Sequence, residues 1–99
     1  MKKNRLGKTN LEVTRLGLGG ITLSTVMGGK DEETINQVIH SALDSGINFI
    51  DTSRVYMDSE TNIGEVMKTR RKECILASKS HKRGYDQVLR DLEESLKQL

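Results

Sequence analysis

Three polar residues of different chemical type stand beside short apolar segments of this 99-residue sequence. Asp51 follows the apolar run 47–50, Tyr56 lies five residues later, and Lys79 comes just after the run 74–77. A tyrosine phenol has a pKa of about 10 and is therefore a weak acid at neutral pH. A nearby ammonium group favours the phenolate form, and a carboxylate keeps that ammonium charged and oriented. Together such groups form a general acid that protonates a carbonyl oxygen as it gains negative charge.

Two glycines end the first apolar run of the chain. Gly19 and Gly20 lack side chains, so a flat cofactor ring can lie directly against the backbone there. With Gly17, the run resembles the start of a dinucleotide-binding fingerprint, but Thr22 stands where the third glycine belongs. This departure weakens the interpretation as a Rossmann fold.

Hydrophobic periodicity predicts three helices that position these residues. The clearest spans 32–45, with Asp31 as its N-cap and Gly46 just beyond its C-terminus. A second helix is predicted to begin with Ser59 as its cap. The last spans 86–98, and one face of it is apolar: Val88, Leu89, Leu92, Leu96 and Leu99.

The remaining apolar segments are predicted strands. Residues 4–13 form a hairpin, because glycine and asparagine between its two arms tolerate the positive φ of a tight turn. The runs 16–20, 47–50 and 74–77 then alternate with the helices. Continuous apolar strands in such an alternation are typical of a parallel sheet that is buried on both faces.

Two α/β architectures agree with this order of elements. One is an open, doubly wound sheet, and the other is a section of a (β/α)8 barrel. In both, sites form at the carboxyl ends of the strands. We therefore expect Asp51, Tyr56 and Lys79 to meet at one rim, together with the glycines of the first strand.

Composition excludes several functional classes. Charged residues make up 30% of the chain, but the formal net charge is only +2. The basic runs also contain no aromatic residues. Nucleic-acid binding is therefore not expected. Membrane spanning is not expected either, since no apolar run approaches about 18 residues. One cysteine, Cys74, and two histidines provide neither a disulfide nor metal-ligand spacing, so we expect a cytoplasmic protein without a metal.

Three further polar residues have simpler interpretations. His40 lies opposite the apolar stripe of its helix and is expected at the surface. His81 lies two residues beyond Lys79 and could reach the same rim, but the two basic residues that follow it favour a solvated loop. Glu60 lies in the first turn of the second helix, where the helix dipole favours an acid and where it could pair with a neighbouring cation.

Four stretches carry a family resemblance: RLGKTNLEVTRLGLGG, ALDSGINFIDTSRVYMDSETNIGEVM, ECILASKS and DLEESLKQL. They cover nearly the whole chain in order, and the Asp-Thr-x-x-x-Tyr element is highly specific in this setting. On these stretches the chain resembles the N-terminal part of an aldo-keto reductase. Arg54 and its surroundings resemble a microbial subgroup of that family, some members of which carry a C-terminal iron–sulfur extension.

The resemblance implies a fold and a reaction. The fold would be the N-terminal section of a (β/α)8 barrel, with a hairpin at 1–15 and the first three βα units at 16–99. The reaction would be hydride transfer from NADPH to a small aldehyde or ketone, or the reverse oxidation of an alcohol.

The resemblance also implies roles for individual residues. Asp51, Tyr56 and Lys79 match the family's catalytic aspartate, tyrosine and lysine, with the tyrosine as proton donor. The nicotinamide of the cofactor would be contacted by residues in two segments: Gly19, Gly20, Ile21 and Asp51.

The resemblance is incomplete in one respect. The family's fourth catalytic residue is a histidine at the end of the fourth strand, which would follow Leu99, and a full barrel needs about 200–250 residues. We therefore expect a fragment that is inactive by itself and that self-associates through exposed sheet edges. A non-catalytic regulatory or assembling module on the same fold is the alternative.

Overall fold

The computed structural model describes residues 1–99, and the chain alternates between strands and helices. Its strands and helices are β1 (Lys3–Arg5), β2 (Glu12–Thr14), β3 (Leu18–Gly19), α1 (Thr25–Gly28), α2 (Glu32–Asp44), β4 (Phe49–Asp51), α3 (Ser59–Arg70), β5 (Ile75–Ala77) and α4 (Tyr85–Gln98).

The predicted N-terminal hairpin is confirmed. Strands β1 and β2 pair antiparallel, with Asn4 opposite Val13. Gly7 and Asn10 in the connection have φ values of 53° and 62°, the left-handed region that glycine and asparagine tolerate. The residue types of the turn thus determine where the chain reverses.

The three remaining strands form one parallel sheet, as the sequence pattern predicts, and their order is β3-β4-β5. Gly19 is opposite Asp51 in the first pair, and Asp51 is opposite Ala77 in the second. The carboxyl ends of all three strands therefore reach the same edge of the sheet. This register is the basis of the site described below.

Helix α2 begins and ends where its sequence predicts. The Asp31 carboxylate accepts a hydrogen bond from the backbone N–H of Thr34 at 2.8 Å, as an N-cap should. At the other end Gly46 has a φ of 95°, its N–H bonds to the carbonyl of Leu43, and the next N–H bonds to Ala42. These two bonds form a Schellman motif, which satisfies carbonyls that the helix leaves free.

The hydrophobic core lies between the sheet and helices α2 and α3. Its members are buried and come from both layers: Leu23, Ile35, Ile39, Leu43, Ile50, Ile63, Val66, Met67 and Cys74. The expectation that the strands are buried on both faces is wrong. Ile50 is fully buried, but all three residues of β5 are only half-buried, because the other face of the sheet has little to cover it.

The apolar face of α4 differs most from its predicted environment. The helix forms as expected, yet Val88, Leu89, Leu92 and Leu96 are all exposed, and Leu96 retains 73% of its accessible surface. Only Leu99 packs against the core. Between α4 and β5 lies a cavity of about 490 Å³. The sequence pattern marks the face correctly, but this chain supplies nothing to cover it.

Ser59 is not the cap of α3 that the sequence suggests. Asp58 occupies the N-cap position, but its side chain makes no capping hydrogen bond. The Ser59 hydroxyl instead donates to the carbonyl of Gly20 at 2.7 Å and lies 2.8 Å from the Thr52 hydroxyl. A tertiary contact has therefore replaced the local one. None of the helices is long and apolar enough to cross a membrane.

Candidate active site

The predicted meeting of Asp51 and Lys79 is present at the carboxyl edge of the sheet. Lys79 donates hydrogen bonds from Nζ to Asp51 Oδ2 at 3.0 Å and to the carbonyl of Thr52 at 2.7 Å. The register explains the contact, since Asp51 is opposite Ala77 and Lys79 lies two residues further on. The carboxylate and the ammonium thus form an ion pair across two neighbouring strands.

Tyr56 completes the group from the loop after β4. Lys79 Nζ lies 5.0 Å from the centre of the Tyr56 ring, within the range of a cation–π interaction. Two turns shape this loop, because Tyr56 N–H bonds to the carbonyl of Ser53 and Ser59 N–H bonds to the carbonyl of Tyr56. The geometric expectation that acid, phenol and amine meet at one rim is therefore confirmed.

The loop after β4 is also fastened to the end of β5 by its backbone. Thr52 N–H bonds to the carbonyl of Ala77 at 2.7 Å, and Arg54 N–H bonds to the carbonyl of Lys79 at 3.0 Å. The hydroxyl of Ser53 donates to that same lysine carbonyl at 3.2 Å. These bonds extend the pairing beyond the strands and align the loop with Lys79.

The charge of Lys79 is stabilised by its neighbours. Burial by itself lowers the pKa of Lys79, but the hydrogen bond and the charge of Asp51, with a smaller contribution from Tyr56, outweigh it and raise the pKa. Lys79 is thus firmly protonated at neutral pH. A fixed positive charge beside a phenol stabilises the oxyanion that remains when the phenol gives up its proton.

The rim that holds these groups is open to solvent. The side chains of Asp51 and Lys79 keep 51% and 42% of their accessible surface. The groups can therefore meet a small molecule, but they do not enclose one. Water has free access to the ion pair in this chain.

The two glycines of the first strand have different surroundings. A side chain at Gly19 would meet nothing within 4 Å, so this position is an open surface beside Asp51. A side chain at Gly20 would collide with Asp51 and Thr52, and its N–H bonds to the Asp51 carbonyl at 2.7 Å. Close packing against β4 therefore already requires glycine at position 20. Ile21 begins a short 3-10 turn and is exposed.

A buried carboxylate lies behind the rim. Glu60 is 2% exposed, and one of its carboxylate oxygens accepts a hydrogen bond from Arg54 Nη1 at 2.5 Å. Its other oxygen accepts hydrogen bonds from the hydroxyls of Ser78 at 2.7 Å and Ser95 at 2.6 Å. The expected pairing of Glu60 with a cation is confirmed, and its hydrogen bond to Arg54 raises the pKa of the guanidinium.

Sequence reasoning missed the two serines of this cluster. Ser78 immediately precedes Lys79 and carries no pattern of its own. Ser95 interrupts the apolar face of α4 one residue before Leu96. A polar residue within an apolar helical stripe is a signal that could have been used, because a buried hydroxyl needs a hydrogen-bond partner.

A second carboxylate, Asp58, joins the start of α1 to the start of α3. It accepts hydrogen bonds from the Thr25 N–H at 2.9 Å and from the Thr25 hydroxyl at 2.6 Å. Burial alone raises the pKa of Asp58, but hydrogen bonds from Thr25, Ser24 and Asn62 outweigh it and lower the pKa to about 2. This carboxylate therefore holds the start of α1 against the start of α3.

The remaining candidate residues are not among the contacts of Asp51, Tyr56 and Lys79 described above. His81 is exposed, as expected. The prediction for His40 is wrong: its side chain is half-buried, and Nδ1 lies 3.0 Å from Arg70 Nη1. Cys74 is buried, and that burial raises the pKa of its thiol to about 11. No cluster of three histidine, cysteine or acidic side chains is spaced to hold a metal ion.

Residues 15–99 match the Aldo/keto reductase family. Aldo-keto reductase YhdN of Bacillus subtilis (strain 168) is 38% identical over 85 residues, which cover 81% of this chain and 26% of that protein. L-galactose dehydrogenase of Arabidopsis thaliana is 34% identical over 105 residues, which cover 95% of this chain and 33% of that protein.

The structure is also similar to that of solved proteins. The holo form of aldo-keto reductase AKR11C1 from Bacillus halodurans matches with a TM-score of 0.83 and 30% identity, over 100% of this chain and 36% of that chain. This similarity decides between the two architectures that the sequence left open, in favour of a section of a (β/α)8 barrel. The chain spans between 26% and 36% of the length of these three relatives.

Proposed function

Because this chain belongs to the aldo-keto reductase family, we propose that it provides the N-terminal part of an NADPH-dependent carbonyl reductase site. Residues 1–15 contribute the hairpin of the barrel, and residues 16–99 contribute its first three βα units. The substrate of the whole barrel is a small aldehyde or ketone, or the alcohol in the reverse direction. The observation that supports this most strongly is the contact of Lys79 with both Asp51 and Tyr56.

Each of the three residues has a role that its position supports. Tyr56 donates its phenolic proton to the carbonyl oxygen as that oxygen becomes negative. Lys79 stabilises the phenolate that results, since its ammonium lies over the ring. Asp51 holds the lysine in place and charged through the 3.0 Å hydrogen bond.

The residues beside Asp51, Tyr56 and Lys79 could contact one side of a nicotinamide ring. Gly19 offers an open backbone surface, and Asp51 has a half-exposed carboxylate next to it. When bound, NADPH would supply the hydride. Ile21 is exposed just beyond the strand, whereas Gly20 is buried. The structure gives Gly20 a packing role in any case, so its contribution to cofactor binding would be indirect.

We propose that the 99-residue chain does not catalyse this reaction alone. Hydride transfer needs the two reacting carbons held about 3–3.5 Å apart, and this chain forms one side of such a cleft. The exposed rim also admits water. A cytoplasmic location agrees with a single buried thiol at Cys74, since a reducing compartment keeps such a thiol free.

A second candidate function is that of a non-catalytic, assembling module. The uncovered apolar face of α4 favours it, because exposed apolar stripes of this kind bind another surface. The two functions are separated by the presence or absence of turnover in a completed barrel.

The test is to join residues 1–99 to the remaining barrel of the Bacillus subtilis relative and to follow NADPH oxidation with a small aldehyde. We expect turnover from the joined barrel and none from the 99-residue chain. Lys79→Met should remove most of that turnover, whereas Lys68→Met, which changes an exposed lysine on α3, should not. A folded joined barrel that binds NADPH but shows no turnover would contradict the proposal.

A further inference from the structure

Glu60 is a buried carboxylate on which three elements converge. It lies in the first turn of α3 and is 2% exposed. Arg54 reaches it from the loop after β4, Ser78 from the end of β5, and Ser95 from α4. A carboxylate accepts several hydrogen bonds at once, so one side chain can fasten all three segments together.

Two of those three partners are close neighbours of the proposed catalytic residues in sequence. Arg54 is two residues before Tyr56, and Ser78 immediately precedes Lys79. The backbones of these segments are also bonded, from Arg54 N–H to the carbonyl of Lys79. A shift of either segment away from Glu60 would therefore change the distance between Tyr56 and Lys79.

We propose that Glu60 is a positioning residue, whose carboxylate holds the Tyr56 loop and the end of β5 in the one arrangement that places Lys79 over the Tyr56 ring. This inference rests on the proposed function for its purpose, but its geometry stands independently. Glu60 touches neither substrate nor cofactor in this account. Its action passes through Arg54 on one side and Ser78 on the other.

The electrostatics of the cluster favour positioning over simple stabilisation. A buried ion pair adds little net stability compared with apolar residues of similar size, because both charges lose their water. A satisfied buried network does, however, restrict its members to one geometry. Each oxygen of Glu60 has at least one donor, so the carboxylate is well satisfied. The Arg54 guanidinium donates a hydrogen bond to Glu60 through Nη1, and its Nε has no partner. Glu60 is therefore the group that orients the guanidinium.

The test compares Glu60→Gln with Glu65→Gln in the 99-residue chain by NMR. Glu65 is an exposed carboxylate on the same helix and provides the matched control. In the unchanged chain, nuclear Overhauser contacts should join the Tyr56 ring to the Lys79 side chain, and the ring current should shift the lysine signals upfield. Tyr85 is 80% exposed and supplies the reference tyrosine spectrum.

We expect Glu60→Gln to lose the contacts between Tyr56 and Lys79 and most of the upfield shift, while the core methyl signals keep their positions. Glu65→Gln should change neither. A folded Glu60→Gln chain that keeps both signatures would overturn the proposal. If Glu60→Gln does not fold, Arg54→Lys and Ser95→Ala carry the same test: weakened contacts support the inference, and unchanged contacts in both variants overturn it.

The readout separates this inference from the proposed function. It measures the distance between two side chains and needs no turnover. If the contacts depend on Glu60 but a joined barrel is inactive, the positioning role stands and the reductase function fails. If the unchanged chain lacks the contacts, the positioning role fails, and the reductase function is still decided by turnover of the joined barrel.

Discussion

Lys79 Nζ lies 3.0 Å from Asp51 Oδ2, although 28 positions separate the two residues in the sequence. Two neighbouring parallel strands produce this contact, because β4 and β5 are in register and end at the same edge. The same lysine lies over the Tyr56 ring. One ammonium group therefore links the carboxylate and the phenol on which the proposed chemistry depends.

Asp51→Asn should move the pKa of Lys79 downward, because the hydrogen bond and charge that raise it are removed. A raised lysine pKa stabilises the fold below the ordinary value of about 10.4, and this contribution is lost as pH rises through the folded-state value. NMR titration of the Lys79 side chain measures the change. Asp44→Asn, which removes an exposed carboxylate paired with Arg70, is the control. An unchanged Lys79 pKa in Asp51→Asn would contradict the account.

Asp58→Asn should destabilise the fold at neutral pH by on the order of 1–2 kcal/mol, because charged hydrogen bonds to Thr25 are lost. The pKa of Asp58 is lowered to about 2, so its contribution is present above the ordinary aspartate value of about 3.9. It is lost as pH falls from there toward 2. Urea denaturation across this range should show the difference between the two chains narrowing. Asp86→Asn, an exposed carboxylate in α4, should show no comparable loss.

Met57→Gly should stabilise the loop that carries Tyr56. Met57 has a φ of 55°, a left-handed conformation that costs a side-chain-bearing residue about 1–2 kcal/mol. Glycine removes that cost but adds entropy to the unfolded chain, so we expect a net gain of up to about 1 kcal/mol in the free energy of unfolding. Chemical denaturation measures it. Val55→Gly, two residues earlier and without positive φ, should lose stability, and equal effects at both positions would refute the explanation.

The 99-residue chain should self-associate through the uncovered face of α4. Leu92 and Leu96 are exposed there beside the open edge of β5. Replacing both with lysine should shift the apparent size in size-exclusion chromatography toward the monomer. Leu16→Lys, at an exposed leucine elsewhere, is the comparison. A compact monomer of the unchanged chain at every concentration would rule this prediction out.

Local patterns were sufficient to predict much of the fold. The apolar stripe of α2, with Asp31 before it and Gly46 after it, specified that helix and both of its ends. The parallel sheet and the meeting of Asp51 with Lys79 followed from the order of the elements. These features depend on periodicity and capping, which are properties of neighbouring residues in the sequence.

Features that depend on distant contacts were predicted less well. The hydroxyl of Ser59 forms hydrogen bonds with Gly20 and Thr52 and therefore does not cap its helix. His40 meets Arg70, which lies 30 residues later. The exposure of the α4 face could not be predicted either, because the pattern of a helix shows which face is apolar and not whether another element covers it.

The central claim is that Tyr56 is the proton donor of a carbonyl reductase site. The most direct measurement is the rate of NADPH oxidation, with a small aldehyde, by the joined barrel carrying Tyr56→Phe. We predict a fall of about 10²–10⁴-fold relative to the unchanged barrel. NADPH affinity should be retained, and Tyr85→Phe, at an exposed tyrosine, should keep full activity. Equal rates for Tyr56→Phe and the unchanged barrel would contradict the account.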